Sequence, residues 1–308
     1  SHPASGTNLG ERSICLSRIT MKNILFLVAL IVSPVFAQEE ATNNCGANDF
    51  ALQILGSGGP FGNGRASAGY LLWIDGQSRI MIDAGGGTFA HFGEAGANIA
   101  DLQLLAISHF HPDHSAELPA LLWPQNGQLT IVGPSGDKAF PSIAEFIDGL
   151  FGIDGVFRIL NDRFQFRTIE VDINDEASEI LNERSVVVRS LGVPHGDVPA
   201  LGFRVEVGGR SIAFSSDQNG TDPSFVEFVK DVDLLVVHFA GNEDGSGRAD
   251  LHAKPSVWGK IANEAKVGRL ILSHLSMNQN FESNLVALKA VYSGPLTIAE
   301  DLMCMSVE

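Results

Sequence analysis

Short apolar runs rich in Val, Ile and Leu recur along the chain and are separated by turn signals or helical patterns. Runs of this length and composition are typical of buried strands. They predict strands at 50–55, 69–74, 79–83, 103–108, 129–132, 185–191, 201–207, 211–215, 233–238, 268–273 and 296–299. The early strands come in close pairs with glycine-rich turns, whereas helices separate the later ones. This mixture predicts two packed sheets with helices outside, in one continuous domain.

Helical patterns follow sharp turn signals. They predict helices at 114–122, after the N-capping pair Asp222-Pro223, at 255–265 and at 282–292. The stretch 141–184 is the least regular part of the chain, acidic and dotted with phenylalanines. It is expected to form either a lid or rim beside a site, or part of the buried core.

The first forty residues have a pattern of their own. Met21 opens a positively charged start, an apolar run follows at 24–32, and small or apolar residues end at Ala37. This layout predicts a signal peptide at 21–37 and a periplasmic or secreted mature protein. The alternative is a membrane anchor, but the run is short for a bilayer, so no anchor is expected in the mature form. Residues 1–20 precede the plausible start methionine and are interpreted as an expression remnant or a mis-assigned start.

The composition and net charge exclude several classes of protein. The 308 residues are 44% apolar and 18% charged, which excludes disorder. The formal charge of −16 repels phosphate backbones, so no nucleic-acid partner is expected. Three cysteines rule out a disulfide-rich scaffold. Cys45 and Cys304, near the two ends of the predicted mature domain 38–308, either pair in an oxidising compartment or stay apart. The oligomeric state stays open.

The strongest chemical signal is the hexapeptide HFHPDH at 109–114, which directly follows an apolar strand. His109 and His111 are two residues apart, so in extended geometry they point the same way and can chelate one ion. The proline then bends the path and places Asp113 and His114 for a second ion. A cluster of surface histidines with an N-capping aspartate is the alternative interpretation.

This motif resembles the signature of the metallo-β-lactamase fold, an α/β fold built as a four-layered αββα sandwich with a metal centre between its sheets. The strand that ends in Asp83 and two glycines is similar to that fold, and later motifs end in order at His195, Asp217 and His274. The resemblance covers nearly all of the mature chain. It implies one metal held by His109, His111 and His195, a second held by Asp113, His114 and His274, and Asp217 bridging both.

The donor set itself indicates the cofactor. Seven nitrogen and oxygen ligands without cysteine suit two Zn²⁺ ions, with Mn²⁺ or iron as alternatives. Two such ions can share one hydroxide, lower its pKa towards neutrality and stabilise charge on the attacked centre.

Several short sequence segments are more similar to the ribonuclease Z-like branch than to true β-lactamases. They are the glycine loop at 55–60, the stretch 194–203, the position of His238 in VVHFA, and the closing residues 299–303, which resemble the last strand of that branch. His252 matches the extra active-site histidine of that branch. The resemblance implies that His252, a catalytic candidate together with Asp113, protonates the leaving oxygen, although a surface histidine before a helix is the alternative. His238 and Asp83 are expected to support the metal ligands.

Three departures argue against tRNA processing. The stretch 203–211 passes directly into the next strand, which leaves no room for the basic arm of that branch. Phe239 replaces the glutamate that would orient the acid histidine, and Glu243, Asp244 or Asp250 are the possible substitutes. The predicted export also removes the protein from the compartment where tRNA matures.

An armless, exported relative more closely resembles the arylsulfatases and small phosphodiesterases of this branch. The resemblance therefore predicts an exported, zinc-dependent, dinuclear hydrolase of small sulfate or phosphate esters. A lactonase is an alternative because it would share the ligand set. A β-lactamase fits less well, since Asp217 and the surroundings of His195 depart from that branch. A non-catalytic metal-binding module is the alternative from a different class.

Overall fold

Two seven-stranded sheets form the centre of the fold. The structure is a computed structural model that describes residues 45–276 and 280–308. The predicted signal peptide at 21–37 and the upstream residues 1–20 lie outside this range, so both interpretations stay predictions. Each predicted strand overlaps an observed one.

The first sheet contains the strands from the N-terminal half and the last strand of the chain. Its members are β1 (Phe50–Gly56), β2 (Gly69–Ile74), β3 (Gln77–Ile82), β4 (Leu104–Ala106), β5 (Gly127–Pro134), β6 (Phe164–Val171) and β14 (Cys304–Ser306). The order is β14-β1-β2-β3-β4-β5-β6, with parallel pairing from β3 to β6.

The second sheet contains the remaining strands. They are β7 (Ser178–Glu183), β8 (Val186–Val193), β9 (Ala200–Val207), β10 (Arg210–Phe214), β11 (Leu234–His238), β12 (Arg269–Ser273) and β13 (Leu296–Ile298). The order is β13-β12-β11-β10-β9-β8-β7, and pairing is parallel from β10 to β13. In both sheets, therefore, several parallel strands end at one edge.

Helices cover the outer faces of the sheets. They are α1 (Thr88–Glu94), α2 (Pro112–Ser115), α3 (Leu118–Leu122), α4 (Ile143–Phe151), α5 (Ser224–Phe228), α6 (Pro255–Glu264) and α7 (Phe281–Lys289). One buried apolar cluster lies between the sheets, and one lies under the helices of each sheet. This layering confirms the predicted αββα sandwich. Among the described helices, none is long and apolar enough to cross a bilayer.

Of the two alternatives for the stretch 141–184, the structure supports the buried core and not the irregular lid, because the stretch forms α4, β6 and β7 and buries Phe151 and Phe164. Two other local expectations are wrong in detail. The single helix expected at 114–122 is divided into α2 and α3, with Pro119 in the first turn of α3 where its missing N–H costs nothing. The residues 299–303 are a turn rather than a strand, since Leu302 has a left-handed φ of 61°.

A disulfide joins the two ends of the described fold. Cys45 precedes β1 in a short 3₁₀ helix, and it pairs with Cys304 at a Cα–Cα distance of 5.6 Å. The same end of the chain pairs β14 with β1, so Gln53 lies opposite Cys304 in the ladder. The cysteine pairing that the sequence left open is therefore formed.

Reduction of this bridge is expected to lower the free energy of unfolding by about 2–5 kcal/mol, because the disulfide restricts a long loop of the unfolded chain. Urea titrations of oxidised and reduced protein measure the difference. The Cys45→Ser and Cys304→Ser variants provide the control: each should match the reduced protein, and the double variant should lose nothing more. Equal stability with and without reductant would contradict the expectation.

Candidate metal centre

The predicted metal-binding residues meet at the edge where the parallel strands end. Each follows an apolar strand that is buried and short, so its backbone position is determined by the sheet. The residues at this edge are Asp83 after β3, His109, His111, Asp113 and His114 after β4, His195 after β8, Asp217 after β10, His238 at the end of β11 and His274 after β12. The structure thus brings together side chains from six strands.

Three imidazoles and a carboxylate form the first group of potential ligands. His109 Nε2 lies 2.9 Å from His111 Nδ1, and His195 Nε2 lies 3.5 Å from the same nitrogen. Asp217 Oδ2 lies 3.8 Å from both His109 Nε2 and His195 Nε2. All four residues offer ligand atoms within 4.8 Å of one another.

The second group shares the same carboxylate. His114 Nε2 is 3.6 Å from Asp217 Oδ2 and 3.6 Å from Asp113 Oδ2. His274 Nε2 is 3.1 Å from Asp113 Oδ2 and 3.5 Å from Asp217 Oδ1. Asp217 therefore contacts both groups. The ligand atoms of His114, Asp217, His238 and His274 lie within 4.8 Å of one another, so His238, predicted as a supporting residue, belongs to this cluster and Asp113 borders it.

Charge at the centre is concentrated on two carboxylates. Burial alone would raise the pKa of Asp217, but the nearby His274 and His114 outweigh it and hold the pKa well below its usual range. Burial opposes ionisation of Asp113 in the same way, yet the hydrogen bond to His274 and the charge of His114 lower the pKa of Asp113 to about 2. Both side chains are therefore anionic at neutral pH.

The imidazoles of the first group have the protonation state that metal binding requires. Burial, followed by the charge of His114, holds the pKa of His109 well below its usual value. Burial also lowers the pKa of His111 and of His195. Neutral imidazoles expose a nitrogen lone pair, which is the form that ligates a metal.

The arrangement fits a bound cation better than a hydrogen-bond network. His114 Nε2 is buried 3.6 Å from carboxylate oxygens of Asp113 and Asp217 and has no hydrogen-bond partner among the described residues, although an unpaired polar group at such a position is costly. His111 Nδ1 faces ring nitrogens of both His109 and His195. The residues therefore fit a divalent metal ion.

Asp83 orients one of these histidines, as the sequence predicts for a supporting residue. Its Oδ1 accepts a hydrogen bond from Ser108 N at 2.7 Å, and its Oδ2 lies 2.8 Å from His114 Nδ1. Burial opposes a charge on His114, but Asp83 and Asp217 outweigh it and raise the pKa of His114. Because Asp83 occupies Nδ1, His114 directs its Nε2 towards Asp113 and Asp217.

His238 forms a hydrogen bond with Asp217 and also contacts Tyr70. Its Nδ1 lies 2.7 Å from Asp217 Oδ1, and its Nε2 lies 3.0 Å from Tyr70 Oη. Burial lowers the pKa of His238 to about 4, so the ring is neutral and donates from Nδ1 to the carboxylate. Nε2 lies beside the Tyr70 hydroxyl, which donates a hydrogen bond to Ser273 Oγ at 2.9 Å. Tyr70 thereby helps to hold the His238 ring in place.

Tyr70 and Ser273 were not identified as site residues from the sequence. Tyr70 is a buried residue of β2, in the first sheet, whereas His238 and Ser273 belong to the second sheet. Only the packing of the two sheets brings them together. The sequence contains one indication of this role: Tyr70 lies inside an apolar strand, and a buried tyrosine hydroxyl needs a hydrogen-bond partner.

The backbone near the centre is held in uncommon conformations. Asp83, Ser216 and His274 have left-handed φ values of 59°, 54° and 54°. Such residues cost about 1–3 kcal/mol each and persist where the surroundings hold them. Gly59 packs against one of them, because a Cβ atom there would lie 2.7 Å from His274 Cε1. The glycine loop noted in the sequence thus lets the backbone approach a metal-ligand candidate.

Comparison with known proteins agrees with this geometry. The family profile described as "Beta-lactamase superfamily domain" matches residues 78–275, which is more than half of the chain. The ribonuclease Z of Mycobacterium bovis is 26% identical over 273 residues, covering 82% of this chain and 96% of that protein. The chain belongs to the metallo-β-lactamase superfamily. Within it, the chain lies in the ribonuclease Z-like branch, as its motifs predicted.

Solved structures of this superfamily have the same fold. The metallo-β-lactamase fold protein YhfI from Bacillus subtilis superimposes with a TM-score of 0.67 at 22% identity, covering 84% of this chain and 99% of that one. A diphosphatase from the PhnP family superimposes with a TM-score of 0.58 at 15% identity, covering 84% of this chain and 98% of that one. At these identities the likeness shows the fold alone.

His252, the residue expected to move a proton, lies beside the centre. The ring of His252 is 5.6 Å from that of His195 and 5.8 Å from that of His274. Its Nδ1 lies 3.9 Å from Asp217 Oδ1 and has no hydrogen-bond partner. Burial lowers the pKa of His252 to about 4, so the ring is neutral at pH 7.

None of the three carboxylates suggested as substitutes for the missing glutamate orients His252. Glu243 accepts hydrogen bonds from Ser256 at the start of α6. Asp244 accepts from Ser246 N, and Asp250 pairs with Arg248. Phe239, at the glutamate position, is buried in the apolar cluster under the helices. The position of His252 is therefore determined by its backbone and by packing.

Tyr70→Phe is expected to weaken zinc binding about tenfold, because it removes a polar partner of His238 and so loosens Asp217. Competition with a chromophoric chelator measures the affinity. Tyr292→Phe is the matched control, since it removes the only other tyrosine hydroxyl of the chain, which donates to Pro295 O. Equal zinc affinity in the two variants would refute the role assigned to Tyr70.

Proposed function

We propose that the protein is a dinuclear metal-dependent hydrolase of small sulfate or phosphate esters. The observation that carries the proposal is the pair of buried ligand groups that share Asp217. A relative adds support for the reaction class, because the matched protein of Mycobacterium bovis is described as a ribonuclease, an enzyme that cleaves bonds to phosphorus. Sulfate esters present a similar tetrahedral group to the same centre.

The roles of the residues follow from their positions. His109, His111 and His195 would hold one metal, and Asp113, His114 and His274 the other, with Asp217 common to both. Zinc suits this nitrogen and oxygen set, with manganese or iron as alternatives. When bound, the metal pair supplies Lewis acidity and lowers the pKa of water. Asp83 and His238 keep the ligands oriented.

His252 is the group placed to move a proton. It lies outside the first ring of ligands, 18% exposed at its side chain, next to His195 and His274. Its buried Nδ1 lies 3.9 Å from Asp217 Oδ1, so Nε2 is the nitrogen left to meet a leaving oxygen. Because the ring is neutral at pH 7, it would first take up a proton, such as that of the attacking water, and then pass it to the leaving oxygen. Asp113 is both a metal ligand and a fixed negative charge on the opposite side of His274.

Features around the centre favour a small substrate over a nucleic acid. The strands β9 and β10 are joined by Gly208 and Gly209, with φ values of 58° and 86°, so a tight hairpin stands where the basic arm of nuclease relatives was expected. The chain carries a formal charge of −16. Both features oppose binding of a polyanion.

Export is supported by the disulfide. A bridge between Cys45 and Cys304 forms and persists in oxidising compartments such as the periplasm or the outside of the cell. This agrees with the signal peptide expected at 21–37. The protein is therefore proposed to act in the periplasm or after secretion.

The substrate class can be tested with a panel of esters. Zinc-loaded protein should hydrolyse p-nitrophenyl sulfate or a phosphate diester, and a chelator should abolish the activity. Asp217→Asn should lower turnover by orders of magnitude while circular dichroism stays unchanged. Turnover of a simple lactone alone would replace the ester assignment by a lactonase. No turnover with metal bound would favour a binding module.

His252→Ala is expected to slow hydrolysis of esters with poor leaving groups far more than that of activated aryl esters, since only the former need a proton. A loss of about 10²–10⁴-fold is typical for such a group. Rates for a series of phenols of increasing pKa measure the difference. Equal losses across the series would reject His252 as the proton donor.

A further inference from the structure

An apolar notch of about 70 Å³ adjoins one of the metal-ligand candidates. His111, itself half-buried, forms one wall. The remaining walls are apolar and come from three loops at the same edge of the sheets. They include Phe110, Phe140, Pro141, Val198 and Pro199. No charged side chain lines the notch among the residues that the structure describes.

The walls are held in place by the surrounding structure. Phe110 stacks on Phe146 with ring centroids 4.3 Å apart and planes inclined by 5°. Asp137 fastens the loop that carries Phe140, since Phe140 N donates to Asp137 Oδ1 at 2.9 Å. Val198 N donates to His195 O at 3.1 Å, so the turn after that histidine directs the third wall. The notch is therefore preformed.

The neighbouring cleft beside His195 has a different character. Its lining includes three carboxylates, from Asp137, Asp172 and Asp197. No lysine or arginine lines either the cleft or the notch. An additional phosphate or carboxylate on the substrate would meet negative charge on one side and apolar surface on the other.

We infer that the notch receives an uncharged alkyl or aryl group of the ester whose phosphate or sulfate lies at the metal centre. This inference rests on the proposed function and names its substrate class: esters of small apolar alcohols or phenols. At about 10–15 Å³ for each water-sized group, the notch holds roughly five heavy atoms. That room suits a branched alkyl group or the edge of one aromatic ring. Specificity then comes from burial of apolar surface next to His111.

Alkylphosphonates test the inference by binding rather than by turnover. Calorimetry on the zinc-loaded full chain compares methylphosphonate with isobutylphosphonate, which has the same head group and three further carbons. Each buried carbon is worth about a three- to fourfold gain in affinity at most. We expect isobutylphosphonate to bind about tenfold more tightly or better.

Two variants act on the notch in opposite ways, and each has a matched control. Val198→Phe fills the notch and should remove the preference for isobutylphosphonate while methylphosphonate binds as before. Phe140→Ala removes a wall and should reduce the preference, which keeps the test decisive where Val198→Phe does not fold. Val286→Phe, on exposed α7, and Phe157→Ala, on the neighbouring apolar cleft that shares only Phe110 with the notch, should keep the full preference.

The outcomes separate this inference from the proposed function. Tight binding of isobutylphosphonate that is lost in both notch variants supports it. Binding of methylphosphonate without any gain for isobutylphosphonate overturns the inference and leaves the proposed function standing. No binding of methylphosphonate to the zinc-loaded protein overturns the proposed function, and the inference with it. A preference that Phe157→Ala abolishes and Val198→Phe leaves intact would also overturn it.

Discussion

One buried carboxylate, that of Asp217, determines how the rest of the centre is arranged. It is 2% exposed, ionised, and within 4 Å of imidazole nitrogens from six histidines. A bare anion in the interior would cost several kcal/mol, so it needs positive charge and hydrogen bonds nearby. His114, whose pKa is raised, supplies charge, and His238 supplies a hydrogen bond.

The fold makes that arrangement possible because its parallel strands end together. Short apolar strands, buried on both faces, fix where each following residue stands, so one or two polar residues after each strand are enough to build the site. The two sheets also contribute jointly. Tyr70 reaches from β2 of the first sheet to His238 and Ser273 of the second, so the packing between sheets and the orientation of Asp217 are linked.

Much of the fold and nearly all of the site could be predicted because each ligand directly follows an apolar run. HFHPDH, His195, Asp217 and His274 are examples. The strands β6 and β7 escaped prediction because they end the sheets, where alternating exposed residues such as Glu179 and Arg167 interrupt the apolar pattern. Tyr70 and the disulfide partners depend on distances across the fold, which no local pattern contains.

The central claim is that Asp217 is shared by two metals, and anomalous diffraction from zinc-loaded crystals tests it most directly. The account predicts two zinc peaks, about 3.5–4 Å apart, with a carboxylate oxygen of Asp217 bound to each. His109, His111 and His195 should surround one peak, and Asp113, His114 and His274 the other. A single peak, or two peaks without Asp217 between them, would contradict the account.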